Sequence, residues 1–272
     1  MSELVAAPET GTPDGAPADP TGSPARGLRR LGKEQLGLLF GLPVFVALVL
    51  GAWFWWRATA DLDDIEARQL ALPAILQMLR EHLLITVVGS AAVVCTAIPL
   101  GILLTRPALR RFTGPVVAVA NMGQAAPVIG LIVLLAMWVG FGFWTAILAL
   151  GLYAFLPVLA NTIVGLERVD PTLIEAARGM GMSPSTVLRK VELPLAVPVI
   201  MTGVRTALVL LVGTASFATF INAGGLGAML QTGITLFRYP ILVSGALLIA
   251  CLALLVDWVG RLLEAFTRPK GV

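Results

Sequence analysis

One charged segment, residues 167–194, combines residue types at a spacing that points to a specific activity. It reads ERVDPTLIEAARGMGMSPSTVLRKVELP. Asp170 followed by Pro171 is typical of a helix start, because aspartate caps free amides and proline needs no amide partner at the first helical position. Gly179 and Gly181 are typical of a helix end, because glycine tolerates the left-handed conformation found there. A first short helix is therefore predicted between these two signals.

A second short helix is predicted directly after the first. Ser183 before Pro184 repeats the start signal, and Pro194 is expected to end the helix. Apolar residues recur along it at helical spacing, namely Val187, Leu188 and Val191. A helix pair with glycines at its bend and an apolar face is suited to dock into a groove on another protein. The simpler alternative is a solvated connector, but two proline starts are more than a connector requires.

The composition of the whole chain places that segment on a membrane protein. Apolar residues make up 57% of the 272 residues, charged residues make up 13%, and the mean hydropathy is +0.90. Soluble domains carry roughly 25% charged residues, so this chain is predicted to be an all-α polytopic membrane protein. The net charge of +3 is scattered between apolar runs, which argues against nucleic acid as a partner.

No catalytic, metal or nucleotide site is predicted from the sequence. Cys95 and Cys251 lie in apolar runs, and His82 is the single histidine of the chain, so neither a disulfide framework nor a metal site is expected. The phosphate-binding pattern GxxxxGK[ST] does not occur in the sequence. The glycine-rich stretch 223–227 is interpreted as a turn or a broken helix.

Charge-free runs predict about six transmembrane helices, since one crossing needs roughly 20 residues. The uncharged run 112–166 is too long for one crossing, and the break at Gly140-Phe141-Gly142 divides it into two. The predicted spans are 36–56, 82–104, 115–138, 144–165, 194–223 and 240–260. Tryptophans at span ends are expected to anchor at the membrane surface, namely Trp53, Trp55, Trp56 and Trp138.

Positive charge sets the orientation of these spans. With both termini cytoplasmic, 14 of the 19 Lys and Arg fall on the inside and 4 on the outside, as the positive-inside rule requires. The remaining one, Arg205, lies within the fifth span, where it is expected to reach the lipid headgroups or to pair with Asp257.

The predicted organisation is a disordered cytoplasmic tail (1–33), an extra N-terminal transmembrane helix (34–57), an extracytoplasmic amphipathic segment (58–81), a transmembrane core (82–265) and a cytoplasmic tail (266–272).

The segment 167–194 resembles the EAA motif of binding-protein-dependent ABC importer permeases. That motif reads Glu-Ala-Ala, three residues, Gly, nine residues, Ile, one residue, Leu-Pro. The matching positions are Glu175, Ala176, Ala177, Gly181, Leu193 and Pro194, with Val191 in place of the isoleucine. The internal spacing is correct throughout.

This resemblance implies a type I ABC importer permease (MetI-like) fold and a transport subunit that is not itself an enzyme. In that family the loop is the coupling helix, which inserts into a cleft of a separate ATPase, so the six matching residues are the implied contacts. No cofactor is expected on this chain, because ATP and magnesium would bind to the ATPase. The implied partners are ABC ATPase subunits, a second permease subunit (identical or paralogous), an extracytoplasmic substrate-binding protein and the lipid of the bacterial cytoplasmic (inner) membrane.

Further strings resemble permeases for glycine betaine, carnitine and choline. They are PLGILLTR (99–106), LYAFLP (152–157), EAARGMGMS (175–183), KVELPL (190–195), GVRTA (203–207), VGTA (212–215) and AGGLG (223–227). This resemblance implies an importer for osmoprotectants, with glycine betaine, choline, carnitine and proline as candidate cargo. Permeases for amino acids and sulfonates share some of these strings, so such a cargo is the alternative.

Uncharged polar side chains inside the spans are candidates for the translocation path. A zwitterion needs hydrogen-bonding groups without a fixed charge that would trap it, and the candidates are Gln124, Asn161, Thr214 and Ser216. The alternative for each is a hydrogen bond between helices.

A stand-alone secondary carrier or channel is a further alternative for the whole protein. The sequence shows neither an inverted repeat nor paired intramembrane carboxylates, which argues against this alternative.

Overall fold

A computed structural model describes residues 33–267, and the side chains of residues 40–264 within them. All regular structure in this range is helical, which confirms the predicted all-α class. The tail predicted over 1–33 lies outside the described residues apart from Lys33, as do positions 268–272 of the predicted C-terminal tail.

The helices follow one another with short connections. Their bounds are α1 Lys33–Thr59, α2 Asp64–Gln69, α3 Leu72–Leu104, α4 Thr113–Ala125, α5 Val128–Val139, α6 Phe143–Glu167, α7 Pro171–Gly179, α8 Pro184–Val187, α9 Leu193–Thr214, α10 Gly227–Thr235 and α11 Tyr239–Thr267. A π turn, Leu188–Glu192, joins α8 to α9, and a 3₁₀ segment, Ala215–Ile221, continues α9.

Length and hydropathy identify the membrane spans within the described residues. Five stretches are long and apolar enough to cross a membrane: in α1, in α3, in α6, in the continuous stretch 184–221 and in α11. The pair of α4 and α5 passes the same test when taken together, and it brings the total to 6 if it counts as one crossing. The prediction of about six spans is confirmed on that count.

The third span differs from its prediction. The sequence predicts one crossing over 115–138, but α4 and α5 meet at 100° across a break at Ala126 and Pro127. Proline has no amide N–H and pushes the preceding residue away from helical angles, and Ala126 accordingly has φ −66° and ψ 141°. The chain therefore turns sharply between two apolar helices instead of running straight.

The helix of the second span begins well before the predicted position 82. α3 starts at Leu72, with a proline in its first turn, and continues to Leu104 without interruption. At 1.5 Å per residue it is about 50 Å long, more than a bilayer core requires. The amphipathic stretch that follows Leu72 is thus the N-terminal part of α3 and not a separate element.

α6 and α9 pack closely at the centre of the bundle. Both also pack against α3. A Cβ at Gly203 of α9 would lie 2.5 Å from the Pro157 carbonyl oxygen and 2.6 Å from Asn161 Cβ on α6. A Cβ at Gly165 of α6 would lie 3.1 Å from the Ala196 carbonyl oxygen. Small residues thus bring the two backbones into contact at two levels, as is common for helices in lipid.

α1 is attached to the bundle through α11. Trp53 is buried, and its indole Nε1–H donates to Ser244 Oγ at 2.9 Å. The predicted interfacial position is therefore wrong for Trp53, because its ring fills a contact between helices and its N–H finds a partner there. Trp55 and Trp138 are 72% and 80% exposed, as the prediction of surface anchors requires.

Arg205 is paired within the chain. Its guanidinium lies 3.2 Å from Asp257 Oδ1 and 3.0 Å from Glu264 Oε2, both on α11. Gly260 makes room for it, since a Cβ there would lie 2.7 Å from Arg205 Cγ. The predicted pair with Asp257 is confirmed. Glu264 supplies a second contact, because it lies two turns further along the same face of α11.

Replacing Gly203 by alanine should destabilise the protein, because the added Cβ meets backbone and side-chain atoms of α6. Such overpacking costs about 1–3 kcal/mol of unfolding free energy. At Gly213 of the same helix, a Cβ would have no atom within 4 Å, and alanine there improves helix propensity. G203A is expected to lower the thermal unfolding midpoint in detergent, and G213A to leave it unchanged or raise it. Equal midpoints for the two variants would contradict the close packing of α6 and α9.

Candidate functional site

The first helix of the loop, α7, starts as the sequence predicts. The Asp170 carboxylate accepts a hydrogen bond from the Thr172 backbone amide at 2.9 Å, and Pro171 occupies the first helical position. This hydrogen bond holds the pKa of Asp170 below its usual value, because it stabilises the charged form. The cap is thus complete at neutral pH and weakens only in acid, as the pH falls through that lowered pKa.

α7 ends in a left-handed turn that favours glycine. Gly181 has φ +82°, and its amide donates to the Arg178 carbonyl at 2.9 Å. The next amide, that of Met182, reaches back to the Ala177 carbonyl at 3.2 Å. These two hydrogen bonds form a Schellman motif, which satisfies carbonyls at the end of a helix. Gly179 is still helical, so the conformational requirement falls on Gly181.

The second helix of the loop continues into the membrane, contrary to the prediction that Pro194 ends it. Ser183 caps α8 as expected. The π turn that follows closes with the Leu193 amide bonded to the Leu188 carbonyl, and it leads directly into α9. A wider turn accommodates proline, which has no amide to donate and whose ring would clash with a carbonyl one normal turn earlier. Pro194 therefore lies in the first turn of α9.

The residues that match the EAA pattern lie on or next to one projecting pair of helices. Glu175, Ala176, Gly181 and Pro194 are exposed, Leu193 is half-buried and Ala177 is buried. α7 packs on α8 and on the π turn, and Ala177 and Val187 are the buried side chains of the two helices. The exposed residues of the pattern are thus accessible to a partner protein, while Ala177 belongs to the packing of the pair.

Two ion pairs among the described residues join the base of the loop to the turn after α3. Arg106 contacts Glu192 twice, from Nη2 to Oε2 at 2.5 Å and from Nη1 to Oε1 at 3.3 Å. Arg110 lies 3.8 Å from Glu167 at the other arm of the loop. Sequence reasoning missed both pairs, because the partners of the first lie 86 positions apart and no local pattern connects them.

The candidate residues for the translocation path do not form one cluster. Asn161 packs against the middle of α9, and its Nδ2 donates to the Pro157 carbonyl at 2.8 Å. Thr214 is the last residue of α9, and its hydroxyl donates to the Leu210 carbonyl one turn earlier. The Ser216 hydroxyl, in the 3₁₀ segment that follows, donates to the Gly213 carbonyl of α9. Gln124 is half-buried in the last turn of α4. Thr214 and Ser216 are thus neighbours at the end of α9, while Asn161 and Gln124 lie on other helices.

Gln124 stands beside the break between α4 and α5. Carbonyls just before such a break lose their helical partners, and unpaired backbone is tolerated in a membrane only against protein or water. Broken helices of this kind form solute sites in other transporter folds. Gln124 lies in the last turn of α4, next to this break, and its place on the path stays a prediction.

The glycine-rich stretch 223–227 is a turn held by the N-terminal part of α3. Gly224 and Gly225 have φ of +81° and +97°, and the Gly225 amide donates to Glu81 Oε2 at 3.0 Å. Next to it, the buried His82 ring donates from Nε2 to the Val212 carbonyl at 2.9 Å. Among the described residues, no group of His, Cys, Asp and Glu is placed to hold a metal ion.

Replacing Gly181 by alanine should loosen the end of α7, because a Cβ in the left-handed region costs about 1–2 kcal/mol. Gly179 is helical with open space around it, so alanine there should strengthen α7 slightly. Amide hydrogen exchange over 176–182 is expected to quicken by about 5- to 30-fold in G181A, and not at all in G179A. Identical exchange in the two variants would count against the Schellman motif.

Comparison with known proteins finds relatives over most of the chain. Residues 97–269 match the family model described as "Binding-protein-dependent transport system inner membrane component". The glycine betaine/carnitine/choline transport system permease protein OpuCD of Bacillus subtilis is 39% identical over 202 residues, which cover 72% of this chain and 87% of that protein. The osmoprotectant import permease protein OsmY of Salmonella typhimurium is 36% identical over 233 residues, 84% of this chain and 96% of that protein.

A solved structure shares the arrangement of helices. An inward-facing structure of the MetNI methionine ABC transporter aligns with a TM-score of 0.64 and 27% identity, covering 72% of this chain and 96% of that chain. The fold is thus the MetI-like type I permease fold, in agreement with the apolar helices that make this a multi-pass membrane protein. The chain belongs to the family of binding-protein-dependent transport system inner membrane components, and it is a permease subunit of an ABC importer.

Proposed function

We propose that the chain forms the translocation pathway of an ATP-driven importer for osmoprotectants, with glycine betaine, choline, carnitine and proline as its cargo. The observation that carries this cargo is the identity of 36–39% to permeases named for choline, for glycine betaine, carnitine and choline together, or for osmoprotectants in general. The uncharged polar side chains of the spans support it, because a zwitterion needs hydrogen bonds without a fixed opposing charge.

The pair of α7 and α8 is the part of the chain that docks into a separate ATPase. Glu175, Ala176 and Gly181 are exposed on it, and its ends continue into α6 and α9, so that a movement of the pair reaches the membrane helices directly. ATP and magnesium bind to the ATPase, and this chain holds no cofactor. Closure of the ATPase dimer draws the loops of two permease subunits together and turns the pathway outward.

The complete importer needs partners on both sides of the bacterial cytoplasmic (inner) membrane. A second permease subunit, identical or paralogous, completes the pathway. An extracytoplasmic binding protein delivers the solute to the outer face, where the turn 223–227 and the outer end of α3 meet. The ATPase subunits bind on the inside, where most of the Lys and Arg of the connecting loops are placed by the positive-inside rule.

A second cargo class is supported by one specific observation. The structural likeness to a methionine ABC transporter, at 27% identity, agrees with an amino acid as the solute, and sulfonates belong to the same alternative. A stand-alone carrier or channel does not agree with the family match.

Uptake of labelled glycine betaine at high external salt tests the proposal. The host cells lack their own betaine systems and express this chain with its ATPase and its binding protein. We expect uptake by the unaltered importer, and its loss in E175A and in G181V, because these changes alter the exposed face and the turn of the docking pair. G179V is the matched control for G181V, since Gly179 adopts ordinary helical angles and has open space around it.

Three outcomes separate the possibilities. Uptake that requires Glu175 and Gly181 supports both the cargo and the docking role. Uptake of labelled methionine or taurine, without uptake of betaine, would show that the proposed cargo is wrong. It would leave the proposed docking role of the loop unchanged. Betaine uptake that is normal in G181V, with an unchanged rate of ATP hydrolysis, would remove the docking role.

Exchange of Gln124 for leucine tests its place on the path. Q124L keeps most of the volume of the side chain but removes its hydrogen-bonding groups beside the break, so betaine uptake should fall by about tenfold, as expected for the loss of one to two hydrogen bonds. Thermal stability and copurification of the ATPase should not change. An effect on uptake of about twofold or less would place the path elsewhere, because neutral surface changes scatter by that much. T96V, on an exposed face of α3, serves as a control for removing a polar group from a span.

A further inference from the structure

The projecting pair of α7 and α8 has little support at its tip. From Pro171 to Met180, every residue except Ile174 and Ala177 is exposed. The packing of α7 is with α8 and the π turn. The direction in which the pair projects is therefore set at its base, where the chain leaves α6 and enters α9.

Glu192 occupies that base. It is the last residue of the π turn and immediately precedes α9, and its side chain is only 7% exposed. A buried carboxylate requires a partner. Arg106 supplies one through two parallel contacts, a geometry that fixes orientation as well as distance.

Arg106 is itself held at the end of α3 before it reaches Glu192. Its Nε donates to the Ile102 carbonyl at 3.3 Å, and its Nη2 donates to Thr105 Oγ1 at 3.0 Å. Each nitrogen of the guanidinium thus has a hydrogen-bond acceptor. The pair with Glu192 therefore ties the π turn, a wider and less regular turn than its neighbours, to the cytoplasmic end of α3.

We infer that Glu192 is a positioning residue for energy coupling. Through Arg106 it fixes the angle of α7 and α8 relative to α3, so that a push on the loop moves α3 and α9 together. The inference rests on the proposed function, in which an ATPase delivers that push. Without the pair, the π turn absorbs the movement and ATP is hydrolysed with little transport.

The other arm of the loop offers a matched control. Arg110 and Glu167 are also an Arg–Glu pair between the turn after α3 and the loop, but they lie 3.8 Å apart, with side chains 73% and 46% exposed. Exposed pairs of this kind have little effect on structure. E167Q therefore makes the same chemical change as E192Q at a position where the charge is not needed.

Distances within the full-length permease test the positioning directly and need no partner protein. The parent carries C95S and C251A and is placed in lipid nanodiscs, with spin labels on A108C and M180C, two exposed positions. Pulsed electron paramagnetic resonance should give a narrow distance distribution in the parent and in E167Q, and a broader one in E192Q. The charge exchange R106E/E192R should narrow it again. A distribution in E192Q that equals the parent overturns the inference.

Transport by the complete complex tests the consequence for coupling. The measured quantity is solute taken up per ATP hydrolysed, with ATPase and binding protein present. E192Q should lower this ratio by about tenfold, within the usual range of coupling between sites, while the ATPase still copurifies. E167Q should leave the ratio unchanged, and R106E/E192R should recover most of it. A purely structural role would lower the yield of folded complex and leave the ratio as it was.

The two measurements separate this inference from the proposed function. If the unaltered complex binds no ATPase, the proposed function fails, and the label distances still decide whether Glu192 positions the loop. If E192Q transports with the unaltered ratio, the inference fails while the proposed function stands. Should E192Q not fold, R106K replaces it, because lysine keeps the charge and loses the two-point geometry.

Discussion

The contact between α6 and α9 is the constraint on which the rest of the candidate site depends. α6 leads into the loop and α9 leaves it, so the separation of these two helices sets the separation of the two arms of the loop. Gly165 and Gly203 bring the backbones together where any larger side chain would meet a carbonyl oxygen. Packed interiors transmit displacement because they hold few voids. The loop is therefore mounted on one stiff unit rather than on two independent helices.

Lipid imposes a second constraint, because backbone groups that leave the α-helical pattern find no water there. Two of the breaks among the described helices have a hydroxyl group as a nearby partner. Between α5 and α6, Thr145 Oγ1 donates to the Gly140 carbonyl at 2.6 Å. Where α9 passes into the 3₁₀ segment, Ser216 Oγ donates to the Gly213 carbonyl at 2.7 Å. These two hydroxyl groups thus donate to backbone carbonyls. Any contact that they make with a solute has to leave those hydrogen bonds in place.

The parts of the fold that could be predicted from the sequence are those with local signals. Charge-free runs locate the spans, because the roughly 20 residues of one crossing must nearly all be apolar. The helix start at Asp170 and the helix end at Gly181 follow from the backbone preferences of single residues. The six positions of the EAA pattern are identified in the same way, through spacing. Their role in docking stays a prediction, since it depends on a second protein.

The parts that could not be predicted depend on distant residues. The sequence around Pro127 does not reveal whether an apolar run kinks or breaks, because the angle is decided by what packs on either side. Considered from the local sequence alone, Pro194 predicts the end of a helix, yet a π turn allows the helix to continue past it. Trp53 meets Ser244 across 191 positions, and Arg106 meets Glu192 across 86. No pattern within a window of sequence contains such pairs.

The ion cluster at Arg205 also has an electrical consequence. Arg205 and Arg261 contact Asp257, and Arg205 also contacts Glu264, so the four formal charges cancel. Moving one elementary charge across a membrane potential of 100 mV involves about 2.3 kcal/mol of electrical work. Any joint displacement of α9 and α11 would therefore carry no net charge of this cluster through the field. The resting voltage of the cell would do no net work on these four side chains, although two of them are arginines within membrane helices.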